Sequence, residues 1–205
     1  MLARFGPIFL QIYGLTETCA MATVLRPGEH VGRRLASCGR AAPGVDVRLV
    51  DGEIAIAGPT LMRGYWNAPE VTAESVRDGW FYSGDVAEQD EDGFLYIADR
   101  KKDMIISGAI NVYPKEVEGV IYRHPGVSEC AVIGLPDPEW GEAVTAVVAP
   151  KAGVTIDPEE IVELCRRELA GYKKPRQVIF VDEIPRNPSG KVLKRVLRDR
   201  YAPVR

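Results

Sequence analysis

Hydrophobic and polar residues change their spacing partway along the chain. Up to residue 98, apolar residues fall in short runs or at alternate positions, which is typical of β-strands. VDVRLV and EIAIAG alternate on either side of Asp51-Gly52, a dipeptide favoured in hairpin turns. Asp78-Gly79 and Asp92-Gly93 punctuate two further predicted strands, WFYSGDVAE and FLYIAD. Residues 30–98 are therefore predicted to form a small antiparallel sheet or barrel.

An apolar run, IFLQI at residues 8–12, predicts a buried strand that ends near Gly14 and delivers YGLTE (13–17) to a sheet edge. A strand this apolar needs neighbours on both sides, and the residues before it are too few to supply them. We therefore expect the sequence to begin inside a larger fold.

After the junction the apolar spacing becomes helical in places. Pro114 is a natural first helical residue, and the helix it begins places Val117, Val120 and Ile121 on one face. A second helix is predicted after Asp157 as cap and Pro158 as first residue. Strands at 129–135, 143–150 and 177–181 and a basic helix from about Val192 complete an α+β unit. The predicted fold class is α+β, with a β-rich part followed by a small α+β domain.

The junction itself is the stretch DRKKDMIISGAINVYPKEVE, Asp99 to Glu118, in which a charged cluster, an apolar run and a small-residue turn follow one another. Charge also changes there. Residues 1–98 contain no lysine and carry 8 Arg against 13 Asp and Glu, whereas residues 99–205 carry 18 basic against 16 acidic groups. The sequence therefore predicts two domains, 1–98 and the part after the junction.

Composition narrows the class of protein. A net charge of −3 argues against nucleic acid as the main partner, although residues 166–205 hold 12 basic against 4 acidic groups. That excess suits a phosphate-bearing small ligand or a solvated helix face. Four separated cysteines and two histidines suggest neither a disulfide framework nor a zinc site, but reduced core residues. No apolar run approaches the roughly 18 residues of a membrane span, so a cytoplasmic protein is predicted.

Three short motifs carry candidate chemistry. In YGLTE, Tyr13 could stack on a base, Thr16 could bond a phosphate and Glu17 could hold magnesium, although a buried tyrosine and a capping threonine explain the motif equally well. In YSGD, Asp85 could accept hydrogen bonds from both ribose hydroxyls or simply form a turn. In PRNPSGK (185–191), Lys191 projects from a stiffened loop as a point charge for an anionic oxygen, or is an ordinary loop lysine.

Other polar and aromatic residues point to packing. Tyr65, Trp66, Trp80 and Phe81 are predicted to pack in the core and loops. His30 and His124 have no acid or nucleophile nearby in sequence, so no catalytic histidine is predicted. The dinucleotide fingerprint and the Walker loop are both absent.

Taken in order, the motifs resemble the adenylate-forming superfamily of acyl-CoA and aryl-CoA ligases, luciferase and peptide-synthetase adenylation domains. The matching segments cover nearly the whole chain: YGLTE, GEIAIAGPTLMRGYWNAPE, WFYSGD, DRKKDMIISGAINVYPKEVE, HPGVSECAVIGLPDPEWGE and YKKPRQVIFVDEIPRNPSGKVLKR. The resemblance implies a ligase that activates a carboxylic acid with ATP to acyl-AMP and passes the acyl group to coenzyme A. A fatty acid is the expected substrate, with aromatic acids as the alternative.

The resemblance also implies roles for single residues. Tyr13 is expected to pack on adenine, Thr16 to contact the AMP phosphate, Glu17 to bind Mg²⁺, and Asp85 and Arg100 to hold the ribose. Lys102 is expected at a hinge, residues 99–103, between the large domain (1–98) and a small domain (104–205) that rotates. Lys191 is expected to bridge carboxylate and phosphate during adenylation, and residues 107–111, including Gly108 and Ala109, to line the pantetheine channel.

The sequence departs from the family pattern in three places. Ala109 stands where close relatives often have a second glycine, which is expected to narrow the path of the thiol. The loop at Asp51-Gly52 is shorter than in many members. No upstream triphosphate loop is present, so the chain is expected to be the C-terminal portion of such a ligase and inactive alone, with the N-terminal region or a second copy as its partner. The alternatives are a non-catalytic AMP- or CoA-binding or docking module, and an adenylation domain that loads a carrier protein.

Overall fold

The computed structural model describes residues 2–202, and in it the chain divides into two compact units after Lys101. Strands predominate in the first unit, and strands and helices are mixed in the second. The predicted mixture of helix and sheet is confirmed. No helix in the described residues combines the length and apolar character needed to cross a bilayer.

The first unit is built mainly from two antiparallel sheets. Its helices are short: α1 (Leu2–Phe5) and α2 (Pro69–Ser75). One sheet contains β1 (Gln11–Tyr13), β2 (Thr23–Leu25) and β3 (Arg40–Ala41). The other contains β4 (Asp46–Val50), β5 (Glu53–Ala57), β6 (Val76–Arg77), β7 (Trp80–Gln89) and β8 (Leu95–Arg100). Because β7 pairs with β5, β6 and β8, it is the strand that organises the larger sheet.

Asp-Gly turns fix the register of this sheet. Asp51 and Gly52 have φ of 50° and 79° between β4 and β5, and Asp78 and Gly79 have φ of 51° and 79° between β6 and β7. Positive φ at both central residues belongs to the type I′ turn, whose twist matches that of the flanking strands. The hairpin predicted at Asp51-Gly52 is confirmed, and Asp78-Gly79, predicted only as the boundary of a strand, forms a second hairpin.

The second unit is one five-stranded sheet with helices on both faces. Its strands are β9 (Ile105–Ser107), β10 (Ile110–Val112), β11 (Val127–Asp137), β12 (Gly141–Pro150) and β13 (Gln177–Phe180). Its helices are α3 (Pro114–Ile121), α4 (Pro158–Glu168) and α5 (Lys194–Tyr201). β12 is the central strand: it forms a long hairpin with β11, pairs with β9, and pairs with β13 in parallel.

Alternate residues of the β11–β12 hairpin face two separate cores. Cys130 and Val132 of β11 lie in a cluster with residues of α3 and α4, including Val117 and Ile161. Their neighbours Ala131, Ile133 and Leu135 lie in a second cluster with Leu197 of α5. Since successive strand residues point to opposite faces, one apolar hairpin supplies both cores.

The predicted helices are confirmed, and their ends follow from local chemistry. Asp157 caps α4, because its Oδ1 accepts from the amide of Glu159 at 2.9 Å while the Glu160 carboxylate returns to the Asp157 amide. The capping box and Pro158 at the first turn define where the helix begins.

Three sequence predictions are wrong. Residues 8–12 are not a buried strand: β1 covers only Gln11–Tyr13, pairs on one side with β2, and leaves Ile8 and Leu10 exposed. Trp66 does not pack in a core, because its side chain is 91% exposed in the turn before α2. Cys19 is exposed, whereas the other three cysteines are buried as predicted.

Candidate functional site

Asp85 is the centre of a charged cluster in the first unit. It lies in β7 opposite Arg100 at the end of β8, and its buried carboxylate Oδ1 is 2.6 Å from Nε of Arg100. The Arg100 side chain remains 47% exposed, so the ion pair has a buried acid and an accessible base. The predicted neighbours Asp85 and Arg100 are therefore in direct contact.

Tyr13 completes this cluster from the smaller sheet. Its hydroxyl donates to Oδ2 of Asp85 at 2.7 Å. Burial, and next the hydrogen bond to Asp85, raise the pKa of Tyr13 far above its usual value of 10.0, so the phenol stays protonated and remains a donor. Each Asp85 oxygen thus has one protein partner, and a carboxylate accepts about four hydrogen bonds in all. The capacity that remains fits the two hydroxyls of a ribose.

Glu17 and Thr16 lie on a single turn of 3-10 helix just after Tyr13. Thr16 is exposed, and Glu17 is half-buried with its Oε1 accepting from the Tyr65 hydroxyl at 2.7 Å. Burial and this hydrogen bond raise the pKa of Tyr65. The sequence assigned Tyr65 to packing, and its contact with Glu17 could not be read from a separation of 48 residues.

Glu17 offers one carboxylate to a metal ion at this position. No group of three acidic, histidine or cysteine side chains in the described residues could hold a metal by itself. Mg²⁺ commonly uses one or two carboxylates and completes its shell with substrate phosphates and water. The donor set at Glu17 fits that mode.

The boundary between the units begins with two consecutive basic residues that are both paired. Arg100 binds Asp85, and Nζ of Lys101 is 2.8 Å from Oε2 of Glu53, a buried carboxylate in β5. Lys102 is exposed and pairs with no acidic side chain in residues 2–202. Of these three consecutive basic residues, Arg100 and Lys101 are held by acids of the larger sheet.

Gly108 and Ala109 form the two-residue turn between β9 and β10. Their φ values are +58° and +62°, and Ser107 pairs with Ile110, so the turn has type I′ character. A Cβ on Gly108 would lie 2.8 Å from the ring of Trp140, on which the Arg176 guanidinium stacks at 4.0 Å. Glycine is required at position 108 by both backbone and space, whereas Ala109 has an exposed side chain in a strained conformation.

Lys191 closes a small loop in the second unit. The Asn187 side chain accepts from the Lys191 amide at 2.8 Å, and the Asn187 amide donates to the Lys191 carbonyl at 2.9 Å. Arg186 donates to the Gly190 carbonyl and to Glu129 of β11, which fastens the loop to the sheet. The Lys191 side chain is exposed and pairs with no acidic side chain among the described residues. The backbone is fixed while the ammonium stays available.

The predicted residues thus form separate groups. Tyr13, Asp85 and Arg100 are in contact, Glu17 lies beside Tyr65, and Gly108, Ala109 and Lys191 belong to the second unit. A cavity of about 810 Å³ in the first unit contains none of these residues; its lining includes Leu10, Val24, Arg26, Arg40 and Leu95. Sequence reasoning missed Glu53, Tyr65 and Asn187, whose role depends on contacts distant in sequence or on loop geometry.

Two family models match this chain. The AMP-binding enzyme family matches residues 1–66, and the AMP-binding enzyme C-terminal domain matches residues 116–191. These matches place the chain in the class of AMP-binding enzymes. The chain belongs to the adenylate-forming superfamily, to which acyl-CoA ligases belong.

Named relatives extend along almost the whole chain. A feruloyl-CoA synthase of Amycolatopsis is 48% identical over 96% of this chain and 42% of its own length. Long-chain-fatty-acid–CoA ligase FadD13 of Mycobacterium tuberculosis is 47% identical over 94% of this chain and 40% of its own length. ATP-bound MatB of Rhodopseudomonas palustris is 42% identical with a TM-score of 0.85, over 95% of this chain and 41% of that one. The chain spans about two fifths of the length of these relatives.

Proposed function

We propose that the chain acts in an AMP-forming acid–thiol ligase, which activates a carboxylic acid with ATP and transfers the acyl group to coenzyme A. One observation carries the proposal: the buried Asp85 carboxylate is held between Tyr13 and Arg100 and keeps hydrogen-bonding capacity for a ribose. The contribution of the first unit is to bind the adenosine part of ATP.

The reaction proceeds in two displacements. A carboxylate oxygen of the acid attacks the α-phosphorus of ATP, the bond to the β-phosphate oxygen breaks, and pyrophosphate leaves. The sulfur of CoA then attacks the acyl carbon and its thiol proton passes to solvent. The bond from the acyl carbon to the bridging oxygen breaks, so AMP leaves with the oxygen that the acid supplied. The first step brings two anions together, so a cation placed between them lowers its barrier.

Lys191 is proposed to supply that cation. Its ammonium is exposed and pairs with no acidic side chain in the described part of the chain, and its backbone is held by Asn187. Because an ammonium has three donors, it can contact the carboxylate and a phosphate oxygen together. The role is electrostatic and positional, so no proton transfer from Lys191 is required.

The other predicted residues are proposed to bind magnesium, phosphate and coenzyme A or to act as the pivot. When bound with ATP, Mg²⁺ would neutralise phosphate charge, and Glu17 is the protein carboxylate proposed to hold it. Thr16, exposed on the same turn, is proposed to contact the phosphate of AMP. The turn at Gly108 and Ala109 is proposed to border the path of the CoA thiol, and Lys102 to be the pivot between the units.

The acid is proposed no more closely than a carboxylic acid. Relatives at 48% and 47% identity are named for ferulate and for long-chain fatty acids, so similarity does not separate aromatic from fatty substrates. A panel of both acid types therefore belongs in the first assay.

The test joins this chain to the preceding three fifths of the feruloyl-CoA synthase, so that the product has the length of the relatives. We expect ATP–pyrophosphate exchange that depends on an added acid, and a CoA thioester as product. Lys191→Ala should lower the exchange by about 100-fold or more.

Lys151→Ala is the matched control, since Lys151 is an exposed lysine of the same unit with no ion pair among the described residues. Its activity should equal that of the unsubstituted enzyme. Full exchange in the Lys191→Ala enzyme would defeat the proposal.

A further inference from the structure

The strand that carries Asp85, β7, is continuous, but its pairing with β5 is interrupted by a bulge. Glu53 pairs with Val86 and Ala55 pairs with Tyr82, so only Ile54 of β5 faces three residues of β7, Ser83 to Asp85. Such a bulge bends a strand, re-aims its side chains and leaves amide groups without ladder partners. Gly84, at φ +73°, provides the backbone conformation that this bulge requires.

Side chains replace the missing ladder bonds inside the bulge. Oε1 of Glu53 accepts from the Gly84 amide at 2.9 Å, and the Ser83 hydroxyl accepts from the Asp85 amide at 3.1 Å. A buried amide without a partner is costly, so these bonds stabilise the bulged conformation over a regular strand. The bulge thereby turns Asp85 toward Tyr13 and Arg100.

Glu53 is an unusual group to find in this place. Only 5% of Glu53 is exposed, and a buried carboxylate is unfavourable unless it is paired. Its second oxygen, Oε2, binds Lys101 at 2.8 Å. Two consecutive cations therefore bind the two acids at the bulge. Arg100 binds Asp85, which follows Gly84 in β7, and Lys101 binds Glu53, which accepts from the Gly84 amide.

We propose that Glu53 is a positioning residue for nucleotide binding: it holds the bulge at Gly84 and so sets the direction of the Asp85 carboxylate. The inference rests on the proposed function, because it takes Asp85 as the ribose ligand. Glu53 acts through the Gly84 amide and does not itself touch the nucleotide. Lys101 compensates the charge of Glu53.

The first measurement needs no enzymatic activity. In the chain itself, Glu53→Ala should raise the hydrogen-exchange rate of the Gly84 amide by about 10-fold or more, since its acceptor is lost. Glu53→Gln keeps an oxygen acceptor and should change that rate by less than about threefold. The control is Glu88→Ala. Glu88 lies in the same strand as Gly84 and forms an exposed ion pair with Arg33, so its loss should leave the exchange rate of the Gly84 amide unchanged.

The second measurement uses the joined ligase. Glu53→Ala should raise the KM for ATP by about 10-fold or more and leave the KM for the acid within about twofold, with Glu53→Gln close to the unsubstituted enzyme. If Glu53→Ala does not fold, Glu53→Asp takes its place, because its side chain is one methylene shorter and cannot reach Gly84 in the same geometry. The same rise in the KM for ATP is expected.

Asp85→Ala separates the two proposals. If it raises the KM for ATP while Glu53→Ala and Glu53→Asp do not, the inference about Glu53 is overturned and the ligase assignment stands. If Asp85→Ala itself leaves the KM for ATP unchanged, the ribose site is wrong, and both proposals fall. Unchanged exchange at Gly84 in Glu53→Ala would overturn the inference alone.

Discussion

The hydroxyl of Tyr13 donates to Oδ2 of Asp85 at 2.7 Å, and this contact joins two motifs that lie 72 residues apart. It connects the smaller sheet of the first unit with the larger one. Because Asp85 also binds Arg100, contacts within the protein orient the three residues predicted to surround adenosine. Preorganisation of this kind lowers the cost of binding.

Removing the Tyr13 hydroxyl should weaken nucleotide binding while preserving the fold. We expect Tyr13→Phe to lower the free energy of unfolding by about 1 kcal/mol and to raise the KM for ATP in the joined ligase. Urea denaturation and initial rates measure the two effects. Tyr82→Phe is the control, because no described group hydrogen-bonds to the Tyr82 hydroxyl; equal effects of both substitutions would contradict the prediction.

The Lys191 loop should depend on Asn187. Asn187→Ala removes the acceptor for the Lys191 amide and should slow acid-dependent ATP–pyrophosphate exchange by about tenfold, with a small change in overall stability. Ser189→Ala leaves that acceptor in place, since Ser189 only donates to Asn187, and should have a smaller effect. The idea fails if the two variants exchange at the same rate.

Ala109 should be a site of stored strain. Replacing it by glycine relieves the left-handed conformation at φ +62°, so Ala109→Gly should raise the free energy of unfolding by about 1 kcal/mol. Ala152→Gly, at an exposed alanine without positive φ, should lower stability instead. The same Ala109→Gly variant tests whether the methyl slows transfer from a supplied acyl-adenylate to CoA.

Tyr65 should tune the response to magnesium. Loss of its hydrogen bond frees the Glu17 carboxylate to rotate, so Tyr65→Phe should raise the Mg²⁺ concentration needed for half-maximal activity. A magnesium titration of the joined ligase at saturating ATP gives this value. An unchanged midpoint would separate Tyr65 from the metal site.

Thiol chemistry should distinguish one cysteine from the buried ones. Burial raises the pKa of Cys130 to about 12 and that of Cys165 to about 11, so neither forms the reactive thiolate near pH 8. Cys19 is exposed and should react first with a disulfide reagent, and Cys19→Ser should abolish that fast phase.

These pKa shifts also set a pH dependence. The unfolded thiols lose protons near 9.0, whereas the folded ones retain them to about 11 or 12. The unfolded state therefore binds fewer protons in that window, and the free energy of unfolding should fall as pH rises from 9. Urea denaturation at a series of pH values would measure the slope.

Local chemistry made much of this fold predictable. Asp51-Gly52 predicted a hairpin, Asp78-Gly79 predicted the boundary of β7, and Asp157 with Pro158 predicted the start of α4, because each depends on residues adjacent in sequence. The strand at residues 8–12 was misjudged, since apolarity indicates a surface to be covered without showing what covers it. Burial of a strand is a property of its neighbours.

The candidate site was less predictable for the same reason. The motifs predicted Tyr13, Asp85 and Arg100 as site residues. Their contacts could not be predicted, because Tyr13 lies in the smaller sheet whereas Asp85 and Arg100 lie in the larger one. Glu53 lies in the predicted strand EIAIAG, and only the bulge opposite it shows that its carboxylate accepts from the Gly84 amide. Interactions that span 31 residues leave no local pattern.

The double-faced hairpin of β11 and β12 has a consequence for how its alignment is encoded. Since both faces are apolar, a shift of one residue would still bury hydrophobic side chains, and the strands themselves identify neither face. The pairing register is set by the three-residue loop between Asp137 and Gly141, where the Asp137 carboxylate accepts from the Glu139 and Trp140 amides. Substitution of one apolar strand residue by another leaves the register unchanged, whereas one residue added to the loop would shift it and turn the side chains of one strand to the opposite core.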